Sequence, residues 1–313
     1  YSRELCEASR AAQGVRIESA PLVTGELAQP DDTWRTVEVE RLVAFFVNPT
    51  RFLLRDRLGI HLEQQDGLLD THEPFQLDYD TRRRVRTLLL QSRLAGAGPE
   101  QSLALARGAG LLPHGRVGEM AVAQEDAVVR PLAERLAGCL PASTRVLPVN
   151  LDFGEVRLTG ALTGVSGDGL VDYRLAEAGP IDWIIVWLRH LVLNCAAPAG
   201  VACQSRFIAQ NEDIALGPVG DAREVLGQLA AVYWRGLRAP LHFFPRSAFQ
   251  YVNARSDNDG AAQRMWEGND FARGEGDNPY YQLAFRGSDP LDDEFRELAR
   301  QVYEPFMACR EKT

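Results

Sequence analysis

Lysine is all but missing from this chain. Of 34 basic residues in 313, the only lysine is Lys312, one residue from the end, so positive charge elsewhere is arginine. A guanidinium stays ionised and forks onto carboxylates or phosphates, but it does not serve as a tunable amine in proton transfer. Paired cysteines are also lacking. Cys6, Cys139, Cys195, Cys203 and Cys309 are odd in number and scattered, without the CxxC spacing of a zinc site or redox motif. Thiols without chemistry, in a reducing cytoplasm, are the expectation. No apolar run approaches the roughly 18 residues of a membrane span. The chain opens on Tyr1 with no basic stretch leading into an apolar one, which reads as a soluble piece of something longer.

The sharper catalytic motifs are absent too. There is no GxxxxGK[ST], HExxH or GxSxG, and only fragments of GxGxxG at Gly108–Gly110 and Gly274–Gly276, so nucleotide hydrolysis is not expected. Asp257-Asn258-Asp259-Gly260 resembles the middle of a calcium loop, but Arg255 and Trp266 fall at its first and last ligand positions, leaving a turn. His61, His72, His114, His190 and His242 form no ligand pair in sequence, and structural roles are expected for them. A net charge of -9 repels nucleic acid overall, so any DNA contact must come from a local basic patch or from shape.

What is present is enough hydrophobic material, 45% of residues, for a sizeable core. Residues 1–35, rich in Gly, Pro and acids, read as a linker or peripheral strap, and the domain proper runs over 36–313. From Val37, apolar residues at helical spacing on either side of Asn48-Pro49 predict two helices meeting at a corner. Residues 66–80 are acidic and turn-rich. Helices are expected over 81–94, 119–140, 181–195 and 221–238, with a loop over 108–118. Short strands are expected at 146–153, 155–165 and 169–175, forming an antiparallel meander, and again at 201–209 and 214–216. This order predicts an α/β fold in which helices flank a central mixed sheet.

The stretch LTGALTGVSGDGLVDYRL, residues 158–175, has the layout of a metal-dependent nuclease hairpin. Such a hairpin presents one carboxylate from GxxD and a second from D-x-K, both binding a divalent ion, while the lysine steadies the attacking water or the phosphate. Here the GxxD position ends on Thr163 and the D-x-K position reads Asp172-Tyr173-Arg174. One carboxylate is left. Asp172 is either a leftover metal ligand or, as favoured here, an ordinary strand residue paired with Arg174 or with solvent. Gly167-Asp168-Gly169 reads as a hairpin turn rather than a replacement ligand. No cofactor and no metal are expected.

These residues, together with YSREL (1–5), LVAFFVNPTRFLLRDRLGIHL (42–62), DTHEPFQLDYDTRRRVRTLLL (70–90), LLPHGRVGE (111–119), WLRHLVLN (187–194) and WEGNDFARGEGDNPYYQLAFRG (266–287), resemble the C-terminal domain of RecC subunits of the RecBCD helicase-nuclease, exodeoxyribonuclease V. The matching pieces span nearly the whole chain. The resemblance implies a restriction-endonuclease-like, PD-(D/E)XK core with a degenerate active site. It sits in a complex that unwinds and degrades broken duplex ends and responds to Chi. It further implies RecB and RecD as partners, contact with DNA ends and unwound strands, and a role in repair and recombination. Against active relatives, three more catalytic positions are vacant: a histidine position falls near Val122, and the Gln and Tyr of a QxxxY motif fall at Ile185 and Arg189.

Candidates for partner or DNA contact are the arginines of the densest basic run, Arg82, Arg83, Arg84 and Arg86, whose plainer reading is a solvated helix face offsetting Asp78 and Asp80. Arg273, Tyr280 and Tyr281 join them on a Gly- and Pro-rich segment, 272–282, expected to be a contact loop. His242-Phe243-Phe244-Pro245-Arg246 is read as a buried strand end in preference to a wedge against base pairs. The reading is of an inert scaffold. The alternatives are an active Mg²⁺-dependent nuclease and a free-standing DNA-binding module.

Overall fold

The computed structural model describes residues 21–62, 77–141 and 143–310. Most of the N-terminal strap, residues 1–20, lies outside the described residues, as do His72 and Lys312. The described remainder of the strap, from Pro21, is mostly exposed. Leu27 N–H donates to Arg238 O at 2.8 Å, and Glu26 pairs with Arg238.

The sheet and its helices begin together. A short strand β1 (Thr36–Glu38) runs directly into α1 (Val39–Val47), whose Leu42, Val43, Phe45 and Phe46 are buried. Asn48 ends that helix, and its side chain accepts from Arg51 N at 2.8 Å to start a new turn at Pro49–Arg51, which relaxes into a π-helical turn over Phe52–Arg57. This is the corner that Asn48-Pro49 predicts. Three helices follow: α2 (Tyr79–Leu94), α3 (Pro99–Gly108) and α4 (Arg116–Ala137). Helix α3 lies in a stretch with no sequence expectation, and α4 begins inside the segment read as loop.

Strands β2 (Arg145–Asp152), β3 (Arg157–Ser166) and β4 (Gly169–Tyr173) form the expected antiparallel meander. Two glycines shape it. Gly164 has φ +79 and a Cβ there would lie 2.9 Å from Val171 O; Gly169 has φ +113 and a Cβ would lie 2.2 Å from Gln204 O. Only glycine lets these backbones approach so closely. After α5 (Pro180–Ala196) come β5 (Ser205–Ile208) and β6 (Asp213–Leu216). β4 pairs parallel to β5 and β1 parallel to β3, so the sheet is mixed, in the order β1-β3-β4-β5-β6 with β2 on β3.

Helices cover both faces. Successive residues of a strand point to opposite sides, and Phe207 joins the larger core while Ile208 joins a second, smaller one. The larger core lies under α1, α5 and α6 (Ala222–Gly236), with α7 (Pro245–Asn253) and the C-terminal α10 (Asp293–Cys309) packed behind. The smaller core is made by α2, α3 and α4. Between α7 and α10 lie α8 (Asn258–Glu267), a hairpin of β7 (Gly268–Asn269) and β8 (Ala272–Arg273), and α9 (Pro279–Ala284). Asp257, in the calcium-loop look-alike, is the N-cap of α8 and accepts from Gly260 N at 3.1 Å. Among the described residues no helix is long and apolar enough to cross a membrane.

Candidate functional site: a degenerate metal centre

The hairpin residues meet one face of α5. Pro180 opens this helix, and Asp182 in its first turn accepts from Gly179 N at 2.9 Å, tying off the N-terminus. Ten of its side chains are buried, Asp182 among them, and this packing fixes the directions of its polar side chains. Two of them reach β4. Asp172 and Arg174 are two residues apart and share a face of the strand. Arg174 pairs with Asp182 at the start of α5, and Asp172 pairs with Arg189 further along it.

The expected pairing of Asp172 with Arg174 or with solvent is thus corrected. Arg174 lies just beyond the end of β4, within reach of the α5 N-terminus, whereas the carboxylate at 172 turns toward Arg189. Asp172 Oδ2 accepts from Arg189 Nη1, and Oδ1 accepts from Tyr173 N at 2.9 Å. The other terminal nitrogen of Arg189 lies 3.1 Å from Glu40 Oε1, on the first turn of α1. A single guanidinium therefore bridges carboxylates from β4 and α1. Its side chain is only 16% exposed, against 32% for Asp172 and 60% for Glu40.

This arrangement does not suit a divalent ion. Two carboxylates converge, but a permanent cation already lies between them and no lysine or histidine accompanies it. Thr163, exposed on β3, adds no charge. The β3–β4 ladder pairs Val165 with Leu170 and Ser166 with Gly169, short of both Thr163 and Asp172. Two further positions singled out in the sequence are in apolar packing. Val122 is buried in the smaller core, and Ile185 packs against the larger one. Among the described residues no three His, Cys, Asp or Glu side chains converge as a metal site.

Glu40 escaped the sequence reading, since residues 40, 172 and 189 come together only through the β1–β3 and β4–α5 packing. His190, next to Arg189, is fully buried. Its ring contacts Ser205 Oγ at 2.8 Å and Gly217 O at 2.9 Å, and desolvation lowers its pKa to about 4, so it is a neutral structural group.

The arginine run divides by helical phase. Arg82 and Arg86 face α4, where both meet Glu125, at 3.2 and 2.6 Å, rather than offsetting Asp78 or Asp80. Asp78 instead caps α2, accepting from Thr81 N at 2.7 Å. Arg83 and Arg84 lie on the exposed face. In the expected contact loop, Arg273 is exposed, but Tyr280 and Tyr281 require correction: they are only 9% and 2% exposed. Tyr281 packs edge-on against Phe244 with ring centroids 4.9 Å apart, while the Tyr280 hydroxyl accepts from Leu62 N at 3.3 Å. Phe243 and Phe244 are buried, as read, but they lead into α7, which opens at Pro245, and end no strand.

Comparison with known proteins gives the family of the chain. The family model described as the RecC C-terminal domain matches residues 34–256. The chain is 29% identical over 273 residues to the RecBCD enzyme subunit RecC of Escherichia coli strain K12, covering 82% of this chain and 24% of that protein. It is 26% identical over 267 residues to the subunit of the same name from Mycolicibacterium smegmatis, with 82% and 24% covered. The subunit from Buchnera aphidicola is 19% identical over 263 residues, with 79% and 24% covered. The chain thus spans about a quarter of the length of the curated relatives it matches. With the family model covering most of its length, the chain belongs to the RecC C-terminal domain family.

Proposed function

We propose that this chain is a nuclease-like domain that does not cut DNA and serves as a scaffold in a RecBCD-type enzyme acting in double-strand-break repair and recombination. The carrying observation is Arg189, which lies between Asp172 and Glu40. A guanidinium bonds to both carboxylates and offsets one of their two charges, but it has no open coordination position and cannot lower the pKa of a bound water as a metal does. On this reading the core is of the PD-(D/E)XK type, with an internal cation in place of an exchangeable one. Other subunits of the complex, RecB and RecD, supply the chemistry, and this domain supplies surface to them and to DNA ends. The segment over 1–35 would connect it to a preceding domain, in the cytoplasm.

Arg83, Arg84 and Arg273 are the exposed members of the contact set and suit a phosphate or carboxylate partner. The test is reconstitution of the complete subunit with its partners. Asp172→Ala in this chain should leave the metal-dependent nuclease activity of the complex unchanged, while removal of the domain should prevent assembly. Loss of nuclease activity in an assembled Asp172→Ala complex would refute the inert reading.

A further inference from the structure

The ring of Phe271 is 99% exposed, whereas the next most exposed large hydrophobic among the described residues, Tyr79, reaches 75%. A lone exposed apolar side chain is ordinary on a protein surface. Here, however, the backbone that carries the ring is fixed by hydrogen bonds. Phe271 lies in the two-residue turn between β7 and β8, and Asn269 Oδ1 accepts from both Phe271 N and Ala272 N at 2.9 Å. Gly268 pairs with Arg273, and Asn269 with Ala272.

The base of the hairpin is clamped to the interior. A Cβ on Gly268 would lie 2.2 Å from Gly274 N, and one on Gly274 would lie 2.2 Å from Trp266 O. Trp266 in turn packs against Phe244 with centroids 4.4 Å apart and the rings tilted by 54°. Just after the hairpin, buried Glu275 accepts from Arg246 N at 3.0 Å and Ser247 N at 2.6 Å. The tip is therefore an aromatic side chain presented on a preorganised support, an arrangement that reduces the ordering cost of binding.

Charge indicates the class of partner. From Glu267 to Asp277 the surface carries three exposed acidic residues, Glu267, Asp270 and Asp277, and one basic residue, Arg273, and the chain as a whole carries -9. Surfaces that stack single-stranded bases pair aromatics with a positive groove, which is the opposite of this setting. We propose that the β7–β8 hairpin is a protein-docking element whose Phe271 ring enters an apolar socket with a basic rim on another subunit. This rests on the scaffold reading above.

The test uses the complete subunit, co-expressed with the other subunits of the complex, with Phe271→Ala, Phe271→Asp and Phe271→Leu in place of the native residue. Phe271→Ala should leave the melting temperature unchanged and weaken assembly by about tenfold or more. Phe271→Asp should weaken it further, Phe271→Leu should retain most of it, and Asp270→Lys should also weaken it. Assembly unaffected by Phe271→Asp would overturn the inference and leave the scaffold reading intact. So would normal assembly combined with loss of binding to an oligothymidylate, which would make the ring a base-stacking group. A drop in melting temperature for Phe271→Ala would show a packed ring and also overturn it. If the unaltered subunit does not assemble, both the scaffold reading and this inference fail.

Discussion

Arg189→Met removes the cation between Asp172 and Glu40 while keeping most of the aliphatic stem. A charge pair in contact within surroundings of effective dielectric about 20 is worth up to about 4 kcal/mol. Exposure reduces that. Asp172 is about a third exposed and recovers water once the arginine is gone, leaving about 1–2 kcal/mol for this pair; the more exposed Glu40 contributes less than about 1 kcal/mol. The single variant should therefore lose about 2–3 kcal/mol, including the cost of an orphaned Asp172. The double variant Arg189→Met/Asp172→Asn should lose less than the two singles added together, by about 1–2 kcal/mol. Urea denaturation of the four proteins measures the coupling directly. A coupling within about 0.3 kcal/mol of zero would mean that the bridge does not hold β4 to α5, and the internal-cation account would be wrong.

Three further outcomes follow from groups around this core. His190 takes up its proton near pH 6.5 when unfolded but only near about 4 when folded, so the unfolded state binds more protons between those values. Stability should fall as pH drops through that window, by about 3 kcal/mol in total, and a His190→Gln variant in urea titrations should lose this slope. For Glu275, burial raises the pKa above the ordinary carboxylate range, outweighing its bonds to Arg246 N and Ser247 N. Its contribution is thus full at acid pH and declines as pH rises through the raised value, so Glu275→Gln should flatten that decline, while Glu275→Ala should cost about 1–3 kcal/mol by orphaning two amides. Gly169→Ala, which would drive a Cβ into Gln204 O, should cost more than about 3 kcal/mol in the same titrations, whereas Gly25→Ala, in open space, should cost almost nothing.

Much of this fold is legible in the sequence because its long elements carry a period. The corner at Asn48-Pro49, the meander over 145–173 and the apolar α5 all follow from spacing and turn residues. Three-residue β1 has no period to read, and its place in the sheet comes from parallel pairing with Arg157–Thr159, more than a hundred residues away. Helix α3 begins at a proline in a stretch of weak amphipathic pattern. The candidate site divides the same way. Thr163 and Arg174 are visible as departures from a motif, whereas Glu40 and the role of Arg189 depend on contacts between residues far apart in the chain. Tyr280 and Tyr281 sit in a segment whose glycines and charges suggest a surface loop, but non-local stacking on Phe244 and Trp266 draws them inward.

The central claim is that no exchangeable cation, and hence no cleavage, belongs to this centre. It is tested most directly by incubating the purified chain with linear duplex and single-stranded DNA in Mg²⁺ or Mn²⁺ and following product formation. An inert domain gives no cleavage above a metal-free control, and Asp172→Ala changes nothing. Metal-dependent cleavage that disappears in Asp172→Ala would contradict the claim and restore Asp172 as a catalytic ligand.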